Sequence, residues 1–475
     1  MLIVEDLSTY PQRTAIEDEL LHKGQRNVVV APLYYQDALI GMLDLLSPHP
    51  GDLHALNTMK LREVLPLFAM AIHRSMEEFN TRLQAIIKEQ CTAIHPAVEW
   101  RFRQAAMHWA EQRQEGSTAE LEPIVFEEVY PLYGVSDIRG SSQLRSAAIQ
   151  ADLTEHLGLV KEILQLAYGC RPLPILDELA YHVSRLTFQL DTGLGAGDEL
   201  GIIDFLHREV EPLFAHLRTF CPEVEEKITS YQAQLDPRLG TIYRRRKDFE
   251  ESVTQINEAL SAYIDVEQEK AQAMFPHYFE KHKSDGIEYG IYIGASMVED
   301  GTFDTLYLHN LRLWQLMVMC GMARLSEQIK GRLKVPLEMA HLILIQHTPL
   351  AVRFRLDEKR FDIDGAYNMR YEIVKKRIDK ARIKGSNERL TQPGKIAIVY
   401  SQLKEAQEYR EYIDYLQAHG QLTGDIEEVE VEDLEGAQGL KALRMTVDMR
   451  LQTPALSLAM EEASEGIQML SPATT

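Results

Sequence analysis

Gly24-Gln25-Arg26-Asn27-Val28-Val29-Val30-Ala31-Pro32-Leu33, followed by Asp37-Ala38-Leu39-Ile40-Gly41-Met42-Leu43-Asp44-Leu45, decides how the first part of this chain folds. A glycine releases the backbone into an apolar run, a polar turn follows, and a second apolar run carries a glycine at its centre. That pattern predicts a two-stranded β-ribbon with one buried face. Strand alternation puts Val28, Val30, Ile40 and Met42 on one face, and Gly41, Leu43 and Leu45 on the other. Downstream, Leu61, Leu65, Phe68, Ile72, Met76, Phe79, Leu83 and Ile86 recur every three or four residues. This spacing predicts one long amphipathic helix over about Asn57–Ile87.

The ribbon resembles the second half of a GAF domain, in which a "G-x-R-s-h-h-x-x-P-L" strand turns into a "h-h-G-h-h-x-L" strand and then a long exit helix. Leu2-Ile3-Val4-Glu5-Asp6 resembles that family's mid-domain "h-h-x-D" segment, which leads to the expectation that the chain is truncated at its N-terminus. The resemblance implies a signalling module that senses a small molecule or dimerises. The face bearing Val28, Val30, Ile40 and Met42 is the candidate ligand-binding surface, and Gly41 is expected to be the close-contact point with the helix. The apolar row continues past the reach of the ribbon, so Phe79, Leu83 and Ile86 are expected to pair with a second copy in a homodimer.

Composition narrows the classes further. A net charge of −22 on 475 residues repels phosphate backbones, so no nucleic-acid partner is expected. Arg244-Arg245-Arg246-Lys247 and the run from Lys375 to Lys384 read as solvated helix faces. Cys91, Cys170, Cys221 and Cys320 lie far apart without a C-x-x-C pair, and idle thiols in a reducing cytoplasm are the simplest reading. No apolar run reaches membrane-spanning length and no signal peptide is evident, so no membrane partner is expected.

Residues 91–275 read as mostly helical, with helices over Val98–Gln114, Ser142–Ala167, Pro174–Gln189, Asp198–Leu217, Pro222–Leu235 and Arg244–Met274. From about Pro276 strands and helices intermix. The chain is therefore expected to be multidomain α+β: a partial GAF sheet with its exit helix (1–90), a helical middle domain (91–275), and an α+β domain (276–475) with a frayed tail from Met460.

Two short motifs point to nucleotide chemistry. Asp137-Ile138-Arg139-Gly140-Ser141-Ser142 resembles the "D-I-x-G-F-T" metal loop of class III nucleotide cyclases, whose aspartate holds Mg²⁺ against a triphosphate. The preceding Val129-Tyr130-Pro131-Leu132-Tyr133-Gly134 contains proline and glycine where a clean strand is needed, and no second aspartate in a glycine hairpin stands out. A loop capping the next helix through Ser141 or Ser142 is the simpler expectation. Asp191-Thr192-Gly193-Leu194-Gly195 resembles the "D-x-G-x-G" box of histidine-kinase ATPase domains, yet a helix pattern precedes it, so it reads as a helix–helix linker. Arg360 to Asn368 reads as an Asp-x-Asp-Gly turn capping a helix near Ala366. His277, His282, His341 and His347 lack metal-ligand spacing. The sequence thus predicts a cytoplasmic GAF-containing signalling protein with no catalytic site, metal or cofactor. A divergent cyclase-like or kinase-like enzyme and a structural scaffold are the alternatives.

Overall fold

The computed structural model describes residues 1–90, 95–114, 121–195, 197–355, 357, 360–364, 369–434 and 437–451. The chain forms two compact units, Met1–Ile124 with Phe354–Arg360, and Val125–Arg353 with Phe361–Thr475. Both mix helix and strand, so the protein is multidomain α+β.

In the first unit, β1 (Leu2–Val4), β2 (Asn27–Tyr35) and β3 (Ala38–Ser47) form an antiparallel sheet in that order. The ribbon is β2–β3, with Val29 opposite Leu45 and Ala31 opposite Leu43. Helix α1 (Ala15–His22) begins at a Thr14 capping box, whose Thr14-x-x-Glu17 spacing is the only strong sequence mark of this short helix. Helix α2 (Leu61–Gln90) covers the face bearing Val29, Ala31 and Leu33, all fully buried, and His73 stacks on Tyr35 at 3.9 Å. Two expectations need correction. A Cβ built on Gly41 meets nothing within 4 Å, so this glycine is not a close-contact point. Leu83, expected on the pairing row, is only 2% exposed, in the stretch where Gln84 Nε2 donates to Glu99 Oε1 (2.6 Å) of α3 (Glu99–Gln114). Phe79 remains partly exposed, and the side chain of Ile86 lies outside the described residues.

The second unit is built on a nine-stranded sheet. Its first strand, β4 (Val125–Ile138), leads into a helical block of α4 (Ser141–Cys170), α5 (Pro174–Thr192), α6 (Asp198–Phe205), α7 (Glu211–Leu217), α8 (Pro222–Gln234) and α9 (Arg245–Met274). A π-helical turn, Leu206–Val210, joins α6 to α7. The block has its own core around Leu157, Val160, Ile163, Leu206, Val224 and Ile228. The chain then returns to the sheet through β5 (Tyr278–Lys283), β6 (Gly286–Ile293), α10 (Thr305–Lys330), β7 (Met339–Ile345), β8 (Leu350–Arg355) and β9 (Arg360–Asp364). Helix α11 (Met369–Arg377), β10 (Lys395–Tyr400), α12 (Leu403–Ala418), β11 (Leu422–Glu430) and β12 (Lys441–Val447) complete it.

Strand order is β11-β12-β10-β7-β4-β6-β5, with β8 on β4 and β9 on β8. Helices α9, α10 and α12 supply much of the core on one face, with Ile291, Ile343, Ile398 and Leu443 from the strands. Tyr371, Val374, Ile378 and Leu390 cluster with Tyr133, Leu342 and Val399 of the other face. The helical segment is therefore an insertion between β4 and β5 of one sheet. Helix α11 is described from Met369, and the predicted helix start and cap near Ala366 and the tail from Met460 lie outside the described residues.

The thiol expectation also needs correction. Cys170 at the end of α4 and Cys221 before α8 form a disulfide, with Cα atoms 6.4 Å apart. Their sequence separation of 51 gives no local signal of pairing. Cys320 is a buried free thiol. Among the described residues no helix is long and apolar enough to cross a membrane.

Candidate functional site: carboxylates at the end of the central strand

Residues 125–138 form a strand despite Pro131 and Gly134, contrary to the sequence expectation, and the register explains both. Pairing of β4 with β8 ends at Val129, and pairing with β7 begins at Leu132. Pro131 sits in the gap between the two, opposite Tyr292 of β6, where its missing N–H breaks neither ladder. Gly134 lies beneath the Tyr289 ring, and a Cβ there would sit 2.5 Å from Tyr289 Cζ. The strand therefore needs glycine at this position to let the ring pack across it.

Asp137 is next to last in β4, and its cross-strand partner is Gly286. Gly286 follows Ser284-Asp285 in the tight β5–β6 turn, with φ +152°, and a Cβ there would lie 2.2 Å from Ser136 O. Ile138 N donates to Asp285 O (2.8 Å), which fixes the turn against β4. Two aspartates, 137 near the end of β4 and 285 in the adjoining β5–β6 turn, thus stand at one end of the sheet. Asp285 lies in an Asp-Gly hairpin turn that sequence reading did not single out. Its signal was an Asp-Gly turn, a strong hairpin marker, masked by the charged, poorly alternating edge strand Tyr278–Lys283. The intervening helices put Asp285 140 residues beyond Arg145, far from any local motif.

Burial pushes the Asp137 carboxyl up to about 6, with the charges of Asp379 and Asp285 adding to the shift, while Lys380 and Arg389 oppose it. Burial likewise raises Asp379, whose Oδ1 is buried without a hydrogen-bond partner. Arg145, from the second turn of α4, forms an ion pair with Asp285. Arg139 is held by its backbone N–H to Glu338 O (2.7 Å) and by its side chain to Thr391 O (2.9 Å).

The chain turns from β4 into α4 through Gly140 (φ 68°, ψ 24°), a left-handed N-cap with no side-chain cap. Ser141 and Ser142 are therefore the first helical residues, not the expected caps. Because Gly140 makes the turn itself, it has no side chain to accept from the first-turn amides of α4. An uncapped helix N-terminus beside carboxylates suits a polyphosphate bridged by a divalent cation. Among the described residues, no group of three His, Cys, Asp or Glu side chains is set as a metal cage. Mg²⁺ needs none, since one or two carboxylates with phosphate oxygens and water complete its shell.

The other candidate residues are dispersed. Val28, Pro32 and Met42 share a face by register, Val30 with them by alternation, but Val28 is buried against Val4 and Leu7 whereas Met42 is 67% exposed. Ile40 is half-buried beyond a register shift at Leu33/Tyr34. Asp191 is exposed in the last turn of α5, before Gly193, in keeping with a helix end. In the Arg244–Lys247 run, Arg244 pairs with Glu155, Arg246 with Glu199 and Glu250, and Lys247 with Glu251. His341 is buried, with Nδ1 2.8 Å from Ser136 Oγ.

No protein-family model matches the chain, and no curated protein matches it. Among solved structures, the crystal structure of the guanylyl cyclase Cya2 aligns with 69% of this chain and 98% of its own, at 13% identity and a TM-score of 0.27. At that score the likeness supports neither a fold nor a function.

Proposed function

We propose that this is a cytoplasmic signalling or regulatory protein. Its second unit binds a nucleoside triphosphate with a divalent cation at Asp137 and Asp285. Its first unit is a GAF-like module that takes a small ligand or dimerises. The observation that carries the nucleotide reading is the pairing of Asp137 with the Ser284-Asp285-Gly286 turn, beside the uncapped start of α4. A bound Mg²⁺ or Mn²⁺ would neutralise the phosphates. The chain's own part is to hold two carboxylates, one near the end of β4 and one in the neighbouring turn, and to offer the amides of Ser141 and Ser142 to a phosphate. Arg145 must leave Asp285 as the cation arrives, and its guanidinium is then placed to pair with a phosphate oxygen.

Calorimetry with ATP or GTP in the presence of Mn²⁺ tests this. Saturable binding lost in both Asp137→Asn and Asp285→Asn is the expected result. Binding unaffected by either substitution would overturn it. Chromatography of the same mixtures for cyclic nucleotide tests the cyclase-like alternative, which the Asp137-Ile138-Arg139-Gly140 stretch favours through its position at a strand-to-helix turn. For the first unit, the exposed row Val64, Phe68, Ile72 and Phe79 supports self-association along α2. Light scattering on Phe68→Glu with Phe79→Glu should read a folded monomer against a wild-type dimer. The Cys170–Cys221 bond is the feature least at home in a reducing compartment, and thiol trapping in cell extracts checks the cytoplasmic placement.

A further inference from the structure

The disulfide of the helical insertion joins two unlike helix ends. Cys170 is the last residue of α4, whereas Cys221 is the N-cap of α8, with Pro222 opening that helix. The two sulfurs therefore meet opposite ends of two backbone dipoles. At Cys221 the partly positive amides of α8 favour a thiolate, and at Cys170 the last carbonyls of α4 disfavour one. In the disulfide the Cys221 sulfur accepts no cap hydrogen bond. Released as a thiolate, it becomes a charged acceptor at the same helix start.

Three ionic side chains stand nearby. Arg171, next to Cys170, lays its guanidinium over the ring of Phe220, next to Cys221, 4.7 Å from the centroid. Glu223 and Glu225 lie in the first turn of α8 and act against a thiolate. All three are exposed, so water weakens them alike, and the helix ends set the order of the two sulfurs. Access points the same way. Cys170 is exposed, while Cys221 is half-buried and packs against the core of the insertion.

In thiol exchange the accessible sulfur is the one attacked, and the sulfur with the more acidic thiol leaves faster. Here the two criteria agree. We propose that Cys170–Cys221 is a modification site for a low-molecular-weight thiol of the glutathione type. The incoming thiolate bonds to Cys170 Sγ, the bond to Cys221 breaks, and its electron pair leaves on Cys221 Sγ. One disulfide and one thiolate enter and one of each remains, so no oxidant or reductant is needed. The reverse attack by Cys221 on Cys170 Sγ expels the small thiol and restores the bond. Helix α8 stays docked on α4 meanwhile, since Lys227 pairs with Glu162 and His156 Nε2 lies 2.6 Å from Tyr231 Oη. The site is independent of the nucleotide reading, because the 30 residues of α4, about 45 Å, separate Cys170 from the carboxylate end.

The test uses the oxidised full chain without substitution. It is incubated with millimolar glutathione, quenched with acid and N-ethylmaleimide, and mapped by peptide mass spectrometry. Expected is glutathione on Cys170 with maleimide on Cys221, exceeding the converse by roughly fivefold or more. An even split or an adduct chiefly on Cys221 would overturn the proposal. So would the absence of any adduct on the folded chain when the same bond exchanges readily in urea. Alkylation rates against pH give a second reading, in which Cys221 of Cys170→Ser ionises at lower pH than Cys170 of Cys221→Ser. The opposite order would also overturn it. If either variant is unfolded by circular dichroism, the map of the unsubstituted chain decides.

Discussion

The β2–β3 ribbon and the carboxylate end of β4 are both antiparallel pairings with a glycine near the centre, yet the glycines do opposite things. Gly41 in the ribbon faces open space, and a Cβ there would meet nothing within 4 Å. Gly286 and Gly134 lie against Ser136 O and the Tyr289 ring, with no room for a single carbon. The ribbon is a local structure in which glycine is tolerated. The carboxylate end is a long-range one in which glycine is what allows the strands to meet.

Substituting the glycines exposes this difference most directly. Gly286→Ala puts a Cβ on a backbone oxygen at a strained φ, and should cost about 3 kcal/mol or more, with loss of soluble protein. Denaturant titration of any soluble fraction measures it. Breaking the Cys170–Cys221 bond by Cys170→Ser should destabilise the helical insertion by about 2–4 kcal/mol, since it closes a long loop. Hydrogen exchange should show faster opening in α4 to α8 with β4 and β6 still protected. If the sheet opens with the insertion, the two are not separable.

Asp137→Asn should do the reverse and stabilise the protein. The carboxyl rises from an ordinary 3.8 to about 6 on folding, so the stability it contributes is present at low pH and lost as pH rises between those values. The charge is therefore unfavourable at pH 8, and its removal should gain about 1–3 kcal/mol there and nothing near pH 3.5. Thermal melts at the two pH values check this. Destabilisation at pH 8 would make Asp137 a structural residue and remove the case for a site. In the wild type, Mn²⁺ affinity should fall about tenfold per pH unit below 6. Smallest of all, Gly41→Val should change stability by about 0.5 kcal/mol or less. A large loss would mean that the ribbon's glycine is as constrained as the sheet's.

Legibility follows the same divide. The ribbon, α2, and most helices of the insertion lie close to where apolar spacing put them, because each reads from its own stretch of chain. The central strand was misread because Pro131 and Gly134 are unfavourable locally and acceptable only when β6, β7 and β8 are in place. Asp137 was singled out, but its neighbours Asp285 and Asp379 were not, since only folding brings them together. Helix α1 and strand β5 were missed for a different reason. Both are short and charged and show little apolar periodicity; α1 buries no residue, and its mark is the local Thr14-x-x-Glu17 capping box instead.

Pro131 and Gly134 also act as alignment marks during assembly. A strand with neighbours on both sides can pair in several offsets, and a slip of one residue turns every side chain to the wrong face. A two-residue slip would keep the faces but carry the proline into a ladder and move the glycine out from under Tyr289, leaving a bulkier residue to collide with the ring. Each misaligned version is thus penalised twice, by a missing hydrogen bond and by a clash. The two residues that make β4 look unlike a strand allow it to settle in a single register.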